Sequence, residues 1–362
     1  MSTCRLCGTR SPLIMQQLGV CRACIRERFA EARPLIEAAH AATRREFDLP
    51  EKPPATEGGC ACHLCARECT LGPGERSYCG LRVNRDGHLV HLAGTPERGL
   101  LEWYRDPLPT NCVAEWVCAA SRQPDRFRST FGQHNLAVFY CSCTFNCLYC
   151  QNWHFREADP QQERTISARQ LASCANERTF CVCFFGGDPA SQMPHALAVG
   201  RLLAQRGIAV CWETAGSQHP RLMEQAVRLS LETGGTVKFD LKAYHEDVHF
   251  ALTGASNRRT LENFARAAER FAERPDPPLV VASTLLVPGY VTPDEVAEIA
   301  RFIAHINPHI PYALLAFAPQ FYAADLRFTS VRHAEEALRR AQAAGLTNVR
   351  IGNRHILSYQ NG

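Results

Sequence analysis

The chain has 362 residues, 46% hydrophobic and 21% charged, enough for one large domain and one or two small ones. No apolar run reaches the length of a membrane span and no apolar leader opens the chain, so a cytoplasmic location without a membrane partner is expected. A net charge of +4 is too small to call for nucleic acid.

Two compositional features are informative. Nineteen cysteines, grouped in C-x2-C-like clusters, point in a reducing compartment to metal ligands rather than disulfides. Only Lys52, Lys238 and Lys242 are lysines among 40 cations; the others are arginine. A lysine kept in such a chain is a compact donor that a guanidinium fork replaces poorly.

In chain order, Cys4, Cys7, Cys21 and Cys24 give C-x2-C-x13-C-x2-C, the spacing of a tetrahedral structural zinc site. Residues 25–47 read as a helix with one apolar face, which Pro34 should kink or restart. A Pro/Gly-rich linker over 50–59 precedes Cys62, Cys65, Cys69 and Cys79, a second tetrad that suits zinc or a single iron, with an auxiliary cluster also open. A hairpin is expected across Asp86-Gly87. The expected divisions are a zinc-ribbon-like module with its helix over 1–50, a second cysteine-rich metal-binding module over 51–95 and a core domain over 96–362. Residues 96–135 carry no assignable pattern. Within them, Cys112 and Cys118 are core thiols or extra ligands.

From residue 136 the pattern turns regular. Apolar runs at 136–140, 181–185, 208–213, 236–241, 280–287, 312–317 and 349–352 alternate with helical stretches near 167–178, 194–206, 219–231, 260–272, 293–305 and 331–344. Thr292, Pro293 and Glu295 form a helix start. Continuous apolar strands alternating with helices predict an α/β fold with a parallel sheet, better as a partial (β/α)6 TIM-like barrel than as an open sheet. Functional residues then gather at the carboxyl ends of the strands.

The first strand runs directly into "YCSCTFNCLYCQNW". Its thiols admit a disulfide staple, a zinc knuckle using Cys141, or an iron–sulfur site. Cys143, Cys147 and Cys150, spaced C-x3-C-x2-C, suffice for three irons of a [4Fe–4S] cluster and leave the fourth open. Cys174, Cys181, Cys183 and Cys211 fall inside predicted elements, where a small buried hydrophobe is expected.

"CTFNCLYCQNW" resembles the cluster loop of radical S-adenosylmethionine (SAM) enzymes. "FFGGDPASQ" (184–192) is similar to that superfamily's second-strand motif, and "WETAG" (212–216) to its third-strand end. "DLKAYHEDVHFALTGASNRRTLENF" (240–264) and "LLVPGYV" (285–291) resemble the fourth- and fifth-strand regions of pyruvate formate-lyase activating enzymes. "CHLCARECTLGPGERSYCGLRVNRDGHL" (62–89) resembles the N-terminal region of the radical SAM enzymes of AmmeMemoRadiSam systems. The resemblance spans roughly 60–355.

It implies a [4Fe–4S] cluster on Cys143, Cys147 and Cys150, with SAM chelating the open iron. Gly186, Gly187, Asp188 and Pro189 would receive the SAM ammonium, Tyr149 would lie against adenine, and Asn152 would orient the loop. Asp240 and Lys242, on one face of the fourth strand, would act in catalysis and in binding SAM, with Glu213 and His355 at the rim. The implied reaction is reductive cleavage of SAM to a 5′-deoxyadenosyl radical, then hydrogen abstraction from a protein, peptide or small substrate. The electron would come from a flavodoxin or ferredoxin. Activation of a glycyl-radical enzyme is the narrower version. Against it, "LLAFAPQFY" has Ala318-Pro319 where the activases carry a histidine.

Two other classes compete. A zinc-ribbon, metal-stapled binding protein explains 1–24 but not the strand-end motifs, and no basic patch suggests nucleic acid. An electron carrier would use a fourth cysteine and needs no six-unit domain.

Overall fold

The computed structural model describes residues 1–110, 112–121 and 132–359. Its centre is one eight-stranded sheet. Strand β1 (Leu101–Pro107) is an edge strand antiparallel to β2 (His134–Tyr140). The remaining strands follow in parallel and in chain order: β3 (Thr179–Gly186), β4 (Ala209–Thr214), β5 (Val237–Asp240), β6 (Val280–Leu286), β7 (Tyr312–Ala316) and β8 (Val349–Gly352). Helices cross over between successive parallel strands, giving six βα units and a closing strand, the predicted partial barrel. No helix among the described residues is long and apolar enough to cross a membrane.

Both sheet faces are covered, which explains the continuous apolar runs. One face of β3–β5 sends Val182, Phe184, Val210, Trp212, Val237 and Phe239 into the main core. The register pairs Cys183 with Cys211 and Glu213 with Lys238 on the other face. That inner face is polar for a barrel: Lys238 is 1% exposed, and its Nζ lies 2.9 Å from the sulfurs of both Cys112 and Cys183.

Three local expectations change. Pro34 does not interrupt its helix; the break falls at Arg28, between α1 (Arg22–Glu27) and α2 (Phe29–Arg45), where φ is −132° and ψ 42°. Pro34, the sixth residue of α2, forgoes one bond to the Ala30 carbonyl, and the helix runs on through it to Arg45. The helix expected over 167–178 stops at Ser173. The unassigned stretch supplies β1, and a further helix, Glu246–Thr253, follows β5. The Asp86-Gly87 hairpin forms with both residues at positive φ, the primed turn that matches strand twist. Thr292 caps its helix from Glu295 N–H as expected.

The N-terminal segment packs on the barrel. Tyr290 Oη accepts from Met15 N–H at 3.0 Å and donates to the Val20 carbonyl at 3.0 Å. Fully buried Glu295 accepts Arg22 Nη2 at 2.9 Å and the Tyr244 and His245 amides.

Candidate functional site

The carboxyl ends of β2–β7 open into one cavity of about 190 Å³. Cys143, Cys147 and Cys150 line it, with Tyr149, Asn152, Gly186, Gly187, Asp188, Glu213, Asp240 and Lys242. Strand-end geometry thus gathers residues more than ninety positions apart. Pro189 lies just behind, opening the short turn after Asp188. His355 is not brought to the cavity; it sits on an exposed turn after β8, where Asn353 at φ 52° redirects the chain.

The loop carrying the thiols is held from below and behind. Asn146 N–H donates to the Thr253 carbonyl at 2.8 Å, and Leu148 N–H to Leu252 at 3.1 Å. Asn146 Nδ2 donates to His40 Nδ1 and Thr43 Oγ1, each at 2.9 Å, and its Oδ1 accepts from Arg156 Nη1 at 2.6 Å. Across the loop, Gly187 N–H donates to Tyr140 O and Asp188 N–H to Ser142 O, each at 2.9 Å. Asp188 is a brace rather than a free ligand. Its Oδ1 accepts from Ala190 N and Thr214 Oγ1 at 2.8 Å, and its Oδ2 from Ala215 N at 3.0 Å, tying β3 to β4.

Several buried polar atoms in the cavity have no protein partner. Asp240 Oδ2 accepts from Lys242 Nζ, while Oδ1 is buried and unpaired. Arg156, 5% exposed, leaves Nε and Nη2 unpaired beside the thiols. Burial pushes the thiols up, Cys147 to about 11 and Cys143 well above its ordinary value, so a bound cation must displace their protons. Phe145 N–H already donates to Cys143 Sγ at 3.3 Å. Three thiols, an unpaired guanidinium edge and an unpaired carboxylate oxygen fit an iron–sulfur cluster with a zwitterionic ligand beside it. The three sulfurs do not meet within 4.8 Å, as the four described next do, which suits separate irons better than one ion.

Cys4, Cys7, Cys21 and Cys24 do converge: their sulfurs lie within 4.8 Å of one another, with Cys4–Cys24 at 3.8 Å and Cys7–Cys21 at 3.7 Å. A tetrahedron of thiolates about 2.3 Å from one ion has edges near those values, so this group fits a single metal ion.

Residues 138–303 match the family model of the Radical SAM superfamily. The chain carries a radical SAM domain. It is 36% identical over 134 residues to the isethionate sulfite-lyase activating enzyme of Desulfovibrio desulfuricans, covering 36% of this chain and 40% of that protein. It is 27% identical over 167 residues to the pyruvate formate-lyase 1-activating enzyme of Escherichia coli, covering 44% and 64%. The chain thus spans less than two thirds of either relative. A domain of a pyruvate-formate lyase-activating enzyme from Bacteroides vulgatus overlays 48% of this chain and 99% of its own, at 21% identity and a TM-score of 0.39.

Within the radical SAM domain, two residues escaped the sequence reading. Arg156 is one of many arginines and carries no motif. Lys238 was marked only by the scarcity of lysine; its Nζ lies 3.4 Å from Glu213 Oε2 and anchors that rim acid from beneath. Burial works against the Lys238 ammonium, but the Cys112 and Cys183 sulfurs and Glu213 outweigh it.

His40 makes the thiol loop sensitive to acid. Its Nε2–H donates to the Ala251 carbonyl at 3.1 Å, leaving Nδ1 to accept from Asn146, so the ring is neutral. Burial holds its pKa down to about 4. An unfolded histidine takes its proton near pH 6.5, so stability present above that pH is lost as pH falls towards 4. The loss is about 3 kcal/mol for this group. Urea midpoints from pH 8 to 4.5 should fall below pH 6.5; a flat profile contradicts the assignment.

Proposed function

We propose that the chain is a radical SAM enzyme that cleaves SAM reductively and abstracts hydrogen from a protein or peptide. The observation that carries this is the meeting of Cys143, Cys147 and Cys150 with the Asp240–Lys242 pair and the Gly186–Asp188 backbone in one strand-end cavity. When bound, a [4Fe–4S] cluster with one open iron supplies the electron that splits SAM to methionine and a 5′-deoxyadenosyl radical. The chain's residues bind and orient. Gly187, having no Cβ, brings its backbone against the thiol loop; Asp240 Oδ1 is free to accept a hydrogen bond from SAM; Lys242 Nζ lies 5.9 Å from the Tyr149 ring centre, bordering the same space. Phe185, Leu285 and Leu315 give the floor an apolar side that excludes water from a reactive radical.

A protein or peptide substrate is supported by the relatives named as activating enzymes of lyases. It is also supported by a second, open cavity of about 670 Å³ that shares Gln151, Asn152, Phe155 and Gly187 with the first. Trp103, Tyr104 and Phe139 give it an aromatic side, and Glu163 and Arg164 a charged one, a mixture that suits a polypeptide segment. Activation of a glycyl-radical enzyme is the narrower form of this reading. A flavodoxin or ferredoxin is the proposed electron source.

The test is anaerobic reconstitution with iron and sulfide, followed by SAM and dithionite. Wild type should form 5′-deoxyadenosine, and a Cys143→Ala, Cys147→Ala, Cys150→Ala variant none. Equal product from both, or none from a wild type that carries its iron and sulfide, contradicts the reading.

A further inference from the structure

The Cys4, Cys7, Cys21 and Cys24 group takes part in no step of the proposed reaction, and its module has little regular structure of its own. Residues 1–27 offer one strand pair of two residues a side, Ser2–Thr3 with Arg10–Ser11, and the six-residue α1. The rest of the backbone is wrapped around the thiols. Gly8 N–H donates to the Cys4 carbonyl at 2.9 Å with φ at 74°, Arg5 N–H to the Gly19 carbonyl at 2.9 Å, and Cys21 N–H to Cys4 Sγ at 3.4 Å. A segment this short depends on a bound ion for its shape, and the four converging sulfurs are the ligands for one.

Two routes join that module to the thiol loop. Cys24 lies in α1 and Cys21 stands at its N-cap, so an ion on these sulfurs fixes where α1 sits. From α1, Arg26 Nη1 donates to Asp247 Oδ1 at 2.8 Å and to Oδ2 at 2.7 Å, at the start of the helix Glu246–Thr253. The far end of that helix supplies the Leu252 and Thr253 carbonyls that take the Leu148 and Asn146 amides. The second route runs through α2, which follows α1 after Arg28 alone. Its first residue, Phe29, meets Phe250 edge-on with ring centres 6.1 Å apart. Farther along α2, His40 and Thr43 hold the Asn146 side chain.

Both routes end on groups that water cannot reach. Asn146 and Thr43 are fully buried, and His40 is 4% exposed. If either helix shifts, buried donors and acceptors around the loop lose their partners. The loop then yields before the barrel does, because the barrel's strands bond to one another.

We propose that zinc held by Cys4, Cys7, Cys21 and Cys24 is the clamp that keeps the Cys143–Cys150 loop in the shape that seats a cluster. The inference rests on the proposed function only in taking that loop as the seat. Zinc carries no electron, so its part is positional. Filled, the site fixes α1, and through it α2 and the helix Glu246–Thr253. Emptied, it releases α1, and Asn146 and Leu148 lose the partners that hold them.

The test is hydrogen exchange read by mass spectrometry on the full chain. A background of Cys143→Ala, Cys147→Ala and Cys150→Ala keeps zinc off the loop itself and keeps cluster chemistry out of the result. Adding Cys7→Ser and Cys21→Ser removes an exposed and a half-buried ligand and leaves the buried Cys4 and Cys24 in place. The added changes should cost about one zinc per chain and speed exchange over 144–149 about tenfold, with 208–213 in the central sheet unchanged. With the loop thiols intact, the same two changes should speed the loss of reconstituted iron to a chelator about tenfold. Zinc lost with unchanged exchange over 144–149, unchanged loss of iron, or equal zinc with and without the two changes overturns the proposal. If the serine variant does not fold, Cys7→His, which keeps four ligands, is titrated with zinc in the same background. Slowing of exchange over 144–149 alone supports the clamp, and equal slowing over 208–213 overturns it. A failure to form 5′-deoxyadenosine would leave the exchange result standing, so the two readings fail separately.

Discussion

Adding one methyl group at Gly187 is expected to abolish 5′-deoxyadenosine formation while leaving the chain folded. A Cβ there would lie 2.1 Å from the Ser142 carbonyl oxygen and 2.6 Å from that of Tyr140. Both obstacles are backbone, so no side chain can rotate away. The same residues bond to this segment, Gly187 N–H to Tyr140 O and Asp188 N–H to Ser142 O, so the clash falls on the seam holding the thiol loop against β3. Ser142 immediately precedes Cys143, and relief of the clash must carry that sulfur with it. Overpacking of this kind costs about 1–3 kcal/mol, within what a domain stable by about 5–15 kcal/mol survives. Positional chemistry is less tolerant: a displacement near 1 Å can lower a rate about a hundredfold. Gly187→Ala should therefore keep its far-ultraviolet circular dichroism, lose iron from the Cys143 site and lose product by about a hundredfold or more. Gly200→Ala is the control, since its nearest neighbours at 3.3 Å are the ends of Leu229 and Val210 side chains. Wild-type iron and product in Gly187→Ala would show that the seam does not position the loop.

What the sequence revealed follows from which forces are local. The parallel strands are covered on both faces, so they read as apolar runs, and 349–352 was placed to the residue. β1 escaped because one edge strand alternates exposed and half-buried positions, and "LEWYRDP" mixes charge with aromatics. The three cysteine groups were visible because their ligands are close in sequence. Electrostatic partnerships were not. Asp188 reads as a ligand within its motif, yet its oxygens are consumed in bracing β3 to β4. Cys183 reads as a small hydrophobe and Cys112 as a core thiol or extra ligand, yet both take hydrogen bonds from Lys238, through a contact spanning 126 residues in the case of Cys112. Arg156 could not be distinguished from other arginines until its unpaired N–H groups were seen beside the thiols.

The last strong effect is expected at the Asp240–Lys242 pair. Lys242 Nζ contacts Asp240 Oδ2 with 11% of the lysine side chain exposed, and the other carboxylate oxygen is buried without a partner. Burial disfavours the Lys242 ammonium, and Asp240, with Cys147 and Tyr149 nearby, more than restores it. Removing one leaves its partner half-buried and uncompensated, which costs more than removing both. Asp240→Asn and Lys242→Met should each raise the KM for SAM about ten- to a hundredfold, the range of a lost hydrogen bond to a charged group, without lowering iron content. The double variant should lose less than the product of the two, because it leaves no orphaned charge. Melting temperature separates this from a scaffold role. A pair that only braces β5 would lower the melting temperature of both single variants and leave their KM unchanged. A pair that holds SAM moves KM even in a variant whose melting temperature is restored by saturating SAM.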